Sequence, residues 1–321
     1  MVCTEAVLLS STIDAEERRD VAVVDVPNAF IQTRVEDEKD MAIIRVRGLL
    51  VDILLELAPE FYSEYVTVDR KGNKQLILQC QNTIYGTMVA SLLFYRKFCK
   101  TLVREGFKCN PYDPCVWNRM VKGKQQTVLF HVDDCKISCV SVKANDDLIE
   151  TLRQEYESIF EDGSGKMKVH RGKVLEYLGM TLDYSVDGQV KITMLGYIKE
   201  CIELFEKMAP NKRGSKSSAA PKNLFVVDDN SKKLSDSKRE QFHSLVAKML
   251  FATKHVRPDT GTTMSFLTTR VSEPDVDDWK KLAHLMRYIR GTKELPLILS
   301  ANSGGMLKWW VDGSHGVHPN M

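Results

Sequence analysis

The sequence predicts an α+β fold, an antiparallel sheet with helices packed on one face, and three observations carry that expectation. Short β-branched and aromatic runs such as VAVVDV and QQTVLFHV are bounded by turn residues. Longer segments such as ASLLFYRKFCKTLVREGF and DDWKKLAHLMRYIRG place apolar residues at helical spacing. The two kinds alternate along the chain without an internal repeat, as mixed layers require.

Taken in order, TEAVLLSSTIDAEERRD reads as a helix feeding VAVVDV, a strand buried on both faces. MAIIRV reads as a strand, LLVDILLELAPE as a helix stopped by Pro59, and YVTVDRKGNKQLILQC as a hairpin about Lys71, Gly72 and Asn73. The helix beginning at Ala90 ends near Gly106. CVWNRM, QQTVLFHV and KISCV follow as strands, the last two separated by Asp133 and Asp134 at a hairpin tip. NDDLIETLRQEYESIF reads as a capped helix, and YLGMTLDYS with QVKITM as a strand pair about Asp187 and Gly188.

Residues 209–240 are rich in Ser, Lys, Asp and Pro with little periodicity, and read as a linker. Two strong helices follow it, EQFHSLVAKMLFATKHV and DVDDWKKLAHLMRYIRG. In the second, Trp279, Leu282, Leu285, Met286 and Ile289 form an apolar face ended by Gly291. Lys280, Lys281, His284, Arg287 and Arg290 oppose that face, where the ordinary role of such residues is solvation.

At 321 residues, 43% hydrophobic and 27% charged, the chain has the composition of a folded protein large enough for two domains. Its formal net charge of +2 shows no global basic excess, so a basic groove would have to come from local clustering. The eight cysteines have no paired CxxC spacing, which argues for reduced thiols in an intracellular compartment, cytoplasm or nucleus. No apolar run approaches the roughly 20 residues that cross a bilayer, so no membrane partner is expected.

The chemistry centres on carboxylates in apolar surroundings. Asp25 ends the strand VAVVD, and Asp133 and Asp134 stand side by side in TVLFHVDDCKISCV. Adjacent like charges resist burial, so they either occupy an exposed turn or face a cation. Taken singly, each motif is explained as well or better by turn formation. Jointly, carboxylates on neighbouring strands can converge on hard divalent cations, which favour oxygen ligands and phosphate-bearing substrates.

Several ordered blocks resemble the reverse transcriptase of copia-type LTR retrotransposons. DVPNAFIQT resembles that family's first catalytic block, TIYGTMVASLLFYRKF the next, GFKCNPYDPCVW the segment before the catalytic hairpin, and FHVDD the hairpin itself. YLGMTLDYS, KMLFATKHVRPDTGTTMSFL and DDWKKLAHLMRYIRGT resemble the strand after the palm and the connection region. The resemblance implies a polymerase palm with partial fingers over 1–208, a linker over 209–240, a helical thumb or connection region over 241–300, and the first strand of an RNase H-like domain over 301–321.

It further implies RNA-directed DNA polymerisation with two Mg2+ ions, for which Mn2+ could substitute, on an RNA or DNA template with a primer and dNTPs. Asp25 and Asp133 would be the principal metal ligands and Asp134 the third carboxylate. Phe30 would lie under the nucleotide sugar and exclude a 2′-hydroxyl; without the family it reads equally well as a core residue. Lys280, Lys281, Arg287 and Arg290 would follow the phosphate backbone of a primer and template duplex. Asp312, in LKWWVDGSHGVHPNM, would be the first metal-binding carboxylate of the RNase H domain.

Three departures from the family pattern carry expectations. His131 replaces the aromatic residue that commonly opens the hairpin motif and is assigned no catalytic role. Met88, Val89 and Ser91 stand where many relatives carry Lys, Gln and Pro, which removes polar contacts to the nucleotide without touching the metal ligands. The chain also begins after the basic strands that grip the triphosphate in relatives and ends before the remaining RNase H carboxylates. Weak polymerase activity in isolation and no RNase H activity are therefore expected, alongside an alternative in which the chain is an inactive fragment that at most binds nucleic acid. The resemblance also implies further polyprotein domains as partners.

Overall fold

The computed structural model of the protein describes residues 2–157 and 165–301. Helix α1 (Thr4–Glu16) leads into β1 (Asp20–Asp25), whose four central residues are all buried. Next come β2 (Ile43–Arg47), α2 (Leu49–Leu57), the one-turn α3 (Pro59–Tyr62), β3 (Val66–Val68) and β4 (Lys74–Gln79). Then follow α4 (Ala90–Arg104), β5 (Lys108–Cys109), β6 (Val116–Val121), β7 (Lys124–His131), β8 (Asp134–Cys139) and α5 (Val142–Tyr156). Beyond them lie β9 (Lys168–Arg171), β10 (Val174–Tyr177), β11 (Met180–Asp183), β12 (Gln189–Thr193) and α6 (Leu195–Met208). The last elements are α7 (Asp236–His255), α8 (Gly261–Thr269), α9 (Val276–Gly291) and β13 (Leu297–Ser300).

The chain divides into two compact units. The first, chiefly residues 22–170, contains a six-stranded sheet in the order β5-β6-β7-β8-β1-β9 and a three-stranded sheet in the order β2-β4-β3. β7 and β8 pair antiparallel from Thr127↔Ser138 to His131↔Asp134. Phe98 of α4 stacks edge-on against Phe130 of β7 with ring centroids 4.8 Å apart, which seats the helix on the sheet. The buried Tyr156 at the end of α5 completes this cluster, its hydroxyl 2.7 Å from that of Thr101.

The second unit, residues 3–21 and 171–301 of the described chain, holds the antiparallel sheet β10-β11-β12-β13, with α1 beside β12 and β13. Helices α6 to α9 close around a core that includes Phe205, Phe242, Met249, Leu282, Leu285 and Ile289. The full apolar face read from the sequence of α9 is buried. Asp275 caps α9 reciprocally with Asp278, which satisfies otherwise orphaned N–H groups. Arg257 is only 1% exposed and is held by Asp259 at 2.7 Å, Thr292 and the Tyr288 ring.

The α+β character expected from the sequence is what the chain forms. The single sheet is replaced, among the described residues, by three. Pro59 does not merely stop α2; it opens α3 at the first helical turn, where its missing N–H costs nothing. α5 begins about a turn before NDDLIE, because the Ser141 side chain caps it at Ala144 N, while Asn145 is buried and accepts from Gln126. Glycines at positive φ close the expected β3–β4 hairpin at Gly72 (81°) and follow α4 at Gly106 (82°).

Of the segment read as a linker, 209–235 lacks regular α-helix while 236–240 already belongs to α7, and the irregular part does not hang free. Leu224 is buried in the second unit's core, and the α9 side chains hold the segment's carbonyls: Lys281 Nζ donates to Val226 O (2.6 Å), His284 Nε2 lies 3.0 Å from Ser218 O, and Arg290 donates to Lys212 O and Gly214 O. Backbone passing over a helix must satisfy its polar groups, and these basic side chains do so.

Candidate functional site

Asp25 is the last residue of β1 and its side chain is 41% exposed. The neighbouring strand β8 leads to the hairpin that carries the aspartate pair. The two elements are tied at this end, because Val26 N donates to Asp133 O at 3.0 Å. His131 and Asp134 are cross-strand partners, so the hairpin loop is Val132 and Asp133 alone, and Asp134 is the first residue of β8 rather than part of the tip.

Val132 has φ of 60°. A β-branched residue resists that region, and the conformation persists only where the surrounding ladder dictates it. The tight loop leaves Asp133 beside β1 and Asp134 at the mouth of the strand. His131 is half-buried, and its Nδ1 has no hydrogen-bond partner among the described residues.

Three side chains share a negative field at this strand end. Burial pushes the Asp134 carboxyl above the usual carboxylate range, and the charges of Asp133 and Asp25 push it further. Burial, then the same three aspartates, raises the Cys135 thiol. Burial followed by Asp133 and Asp25 raises the Tyr85 hydroxyl. Such mutual repulsion favours either a proton or a cation.

The donor set therefore fits a hard divalent ion by its chemistry. As they stand, no three His, Cys, Asp or Glu side chains among the described residues form a group that could hold a metal ion. The cation beside Asp25 is Lys168 of β9, whose Nζ is 3.8 Å from Asp25 Oδ2. That pair is too exposed, at 72% and 41%, to contribute much stability.

Phe30 follows β1 and is half-buried. Its ring lies 4.9 Å from Tyr85 and 6.3 Å from Phe94, an aromatic platform linking the loop after Asp25 to the start of α4. Tyr85 is 52% exposed, and its coupling to Asp25 and Asp133 places it in the same neighbourhood. In the sequence, an aromatic within the block TIYGTM is the one signal for Tyr85, and nothing marks Lys168. Met88 is 97% exposed, and Val89 is the N-cap of α4.

The basic face of α9 departs from the expected open phosphate track. Lys281 is 2% exposed, paired with Asp277 at 2.9 Å and lying over the Phe266 ring. Arg290 is bound to Glu206 at 2.9 Å as well as to the two carbonyls of the docked segment, and Lys216 N donates to Arg287 O. Of the four residues proposed for nucleic acid, only Lys280 is exposed. Asp312 lies outside the described residues. Among the described residues no helix is long and apolar enough to cross a membrane.

No protein-family model matches the chain. It is 24% identical over 245 residues to the putative transposon Ty5-1 protein of Saccharomyces cerevisiae, covering 76% of this chain and 75% of that protein. It is 23% identical over 248 residues to the retrovirus-related Pol polyprotein from transposon TNT 1-94 of Nicotiana tabacum, covering 74% of this chain but only 17% of the polyprotein. Among solved structures, apo telomerase from Candida tropicalis matches with a TM-score of 0.37 and 11% identity, over 90% of this chain and 49% of that one. Telomerase in complex with a TWJ fragment of telomeric RNA matches with a TM-score of 0.35, over 91% of this chain and 48% of that one.

Proposed function

We propose that this chain, whose homologues are copia-type retrotransposon proteins and which fits a fragment of a retrotransposon Pol, is the RNA-directed DNA polymerase part of such a polyprotein. The observation that carries the reading is the tie between the end of β1 and the β7–β8 hairpin, which brings Asp25, Asp133 and Asp134 to the same end of the sheet's interior strands. Asp25 and Asp133 would hold two Mg2+ ions, or Mn2+, with Asp134 as the third carboxylate. Held there, such ions would supply Lewis-acid activation of a primer 3′ hydroxyl and charge neutralisation at the leaving pyrophosphate.

The chain's own residues supply the rest. The ladder and the strained Val132 hold the hairpin in place. Phe30, backed by Tyr85 and Phe94, offers a flat apolar surface under the sugar of an incoming dNTP, where an added 2′-hydroxyl would meet the ring. Residues 1–208 then serve as palm and partial fingers, 241–300 as the helical thumb or connection region, and Asp312 as the first carboxylate of an RNase H-like domain.

A second reading, a non-catalytic nucleic-acid binder, is favoured by one observation: Lys168 already lies beside Asp25, its Nζ 3.8 Å from Oδ2. Primer extension on an RNA template with Mg2+ separates the two. The polymerase reading expects extension that Asp133→Asn reduces at least 100-fold; equal signals from both proteins overturn it. Duplex binding that weakens steeply with salt while no extension occurs is the outcome of the second reading.

A further inference from the structure

Away from the carboxylates, a group of cations lies on α4. Arg96, Lys97, Lys100 and Arg104 share one face of the helix by their spacing, opposite the buried Phe94, Phe98 and Leu102. They border a cavity of about 550 Å³, with Arg34 on its other side. Arg34 is held there by its backbone bridge to Asn82.

Only part of this charge is neutralised. Arg104 is paired with Glu155 at 2.7 Å. Lys100 and Glu36 are 4.0 Å apart, with side chains 77% and 86% exposed, a pair that contributes little. Neither Arg34 nor Arg96 forms an ion pair among the described residues. Lys97 is fixed within the cavity wall: its Nζ donates to Gln32 O at 3.1 Å and sits 5.0 Å from the Tyr156 ring centroid. Burial lowers its pKa, and the nearby Glu155 charge offsets only part of that shift.

We infer that this cavity is a second phosphate-binding site, built for consecutive phosphate groups of a flexible strand and separate from the carboxylate cluster. From Arg96 to Arg104 the row runs about 12 Å along the helix, room for more than one phosphate. Guanidinium groups match phosphate oxygens bidentately, and the fixed ammonium adds a point charge whose desolvation an anion would relieve. The occupant is the backbone of single-stranded nucleic acid; free oligophosphate presents the same chemistry. The inference goes beyond the polymerase reading and survives its failure, since a protein inactive in primer extension would still bind here.

Lysine acetylation footprinting of the full chain by mass spectrometry, followed by anisotropy, tests it. Twenty-mer oligothymidylate should protect Lys97 and Lys100 while leaving Lys122 and Lys124 of the β6–β7 turn unchanged. Protection by tripolyphosphate alone would assign the site to free oligophosphates. Protection by neither probe overturns the proposal. In anisotropy, Arg96→Glu with Lys100→Glu, both exposed and so compatible with folding, should weaken oligothymidylate binding about 10-fold or more and lower the salt slope by about 2. The control Lys122→Glu with Lys124→Glu should do neither, and unchanged binding by the α4 variant would likewise contradict the site.

Discussion

At the scale of single residues, Val132 and Asp134 show what the hairpin costs. A β-branched side chain at φ of 60° stores strain of about 1–3 kcal/mol, against which glycine loses about 0.5–1 kcal/mol through chain entropy. Val132→Gly should therefore stabilise the protein by about 1 kcal/mol, read from urea denaturation. Asp134 has a folded pKa above its ordinary 3.8. The folded state thus binds its proton more tightly, so the stability linked to this group is present below 3.8 and lost as pH rises through the raised value. Asp134→Asn should raise the Tm at neutral pH, and the gain should shrink on acidification. The charge pair was legible in the sequence as a problem needing an answer. That Asp134 belongs to the strand while Val132 occupies the turn was not legible, because the ladder overrides the turn preferences of both residues.

At the scale of elements, the most informative difference is the segment before α7. Composition marks it as lacking periodicity, and periodicity marks the basic face of α9, but neither reveals that the one covers the other. The link is made by side-chain donors reaching backbone carbonyls dozens of residues away, Lys281 to Val226 and Arg290 to Lys212, which leave no periodic trace. Lys281→Met keeps the buried stem but removes the ammonium from Val226 O and Asp277. We expect residues around 212–226 to become markedly more sensitive to limited proteolysis, with a stability loss of about 2 kcal/mol. The α4 contact makes a contrasting case, since its amphipathic spacing alone marked the buried face. Phe98→Ala should cost about 3–5 kcal/mol in thermal or urea unfolding, because it empties the centre of the aromatic cluster against Phe130.

At the scale of the whole molecule, ordered sequence blocks pointed to the retrotransposon relatives that the comparisons found, although no single block would have sufficed. The carboxylates are legible because adjacent like charges inside an apolar run resist burial and so stand out in sequence. Tyr85 and Lys168 are hidden because their places near Asp25 come from tertiary packing, and any aromatic or cation would have looked alike in sequence. The central claim is that β1 and the β7–β8 hairpin act as one divalent-ion site. Electron paramagnetic resonance of Mn2+ titrated into the chain measures it most directly: the native protein should bind the ion, and Asp25→Asn and Asp133→Asn should each weaken binding at least 10-fold. Equal Mn2+ binding by all three proteins would contradict the claim.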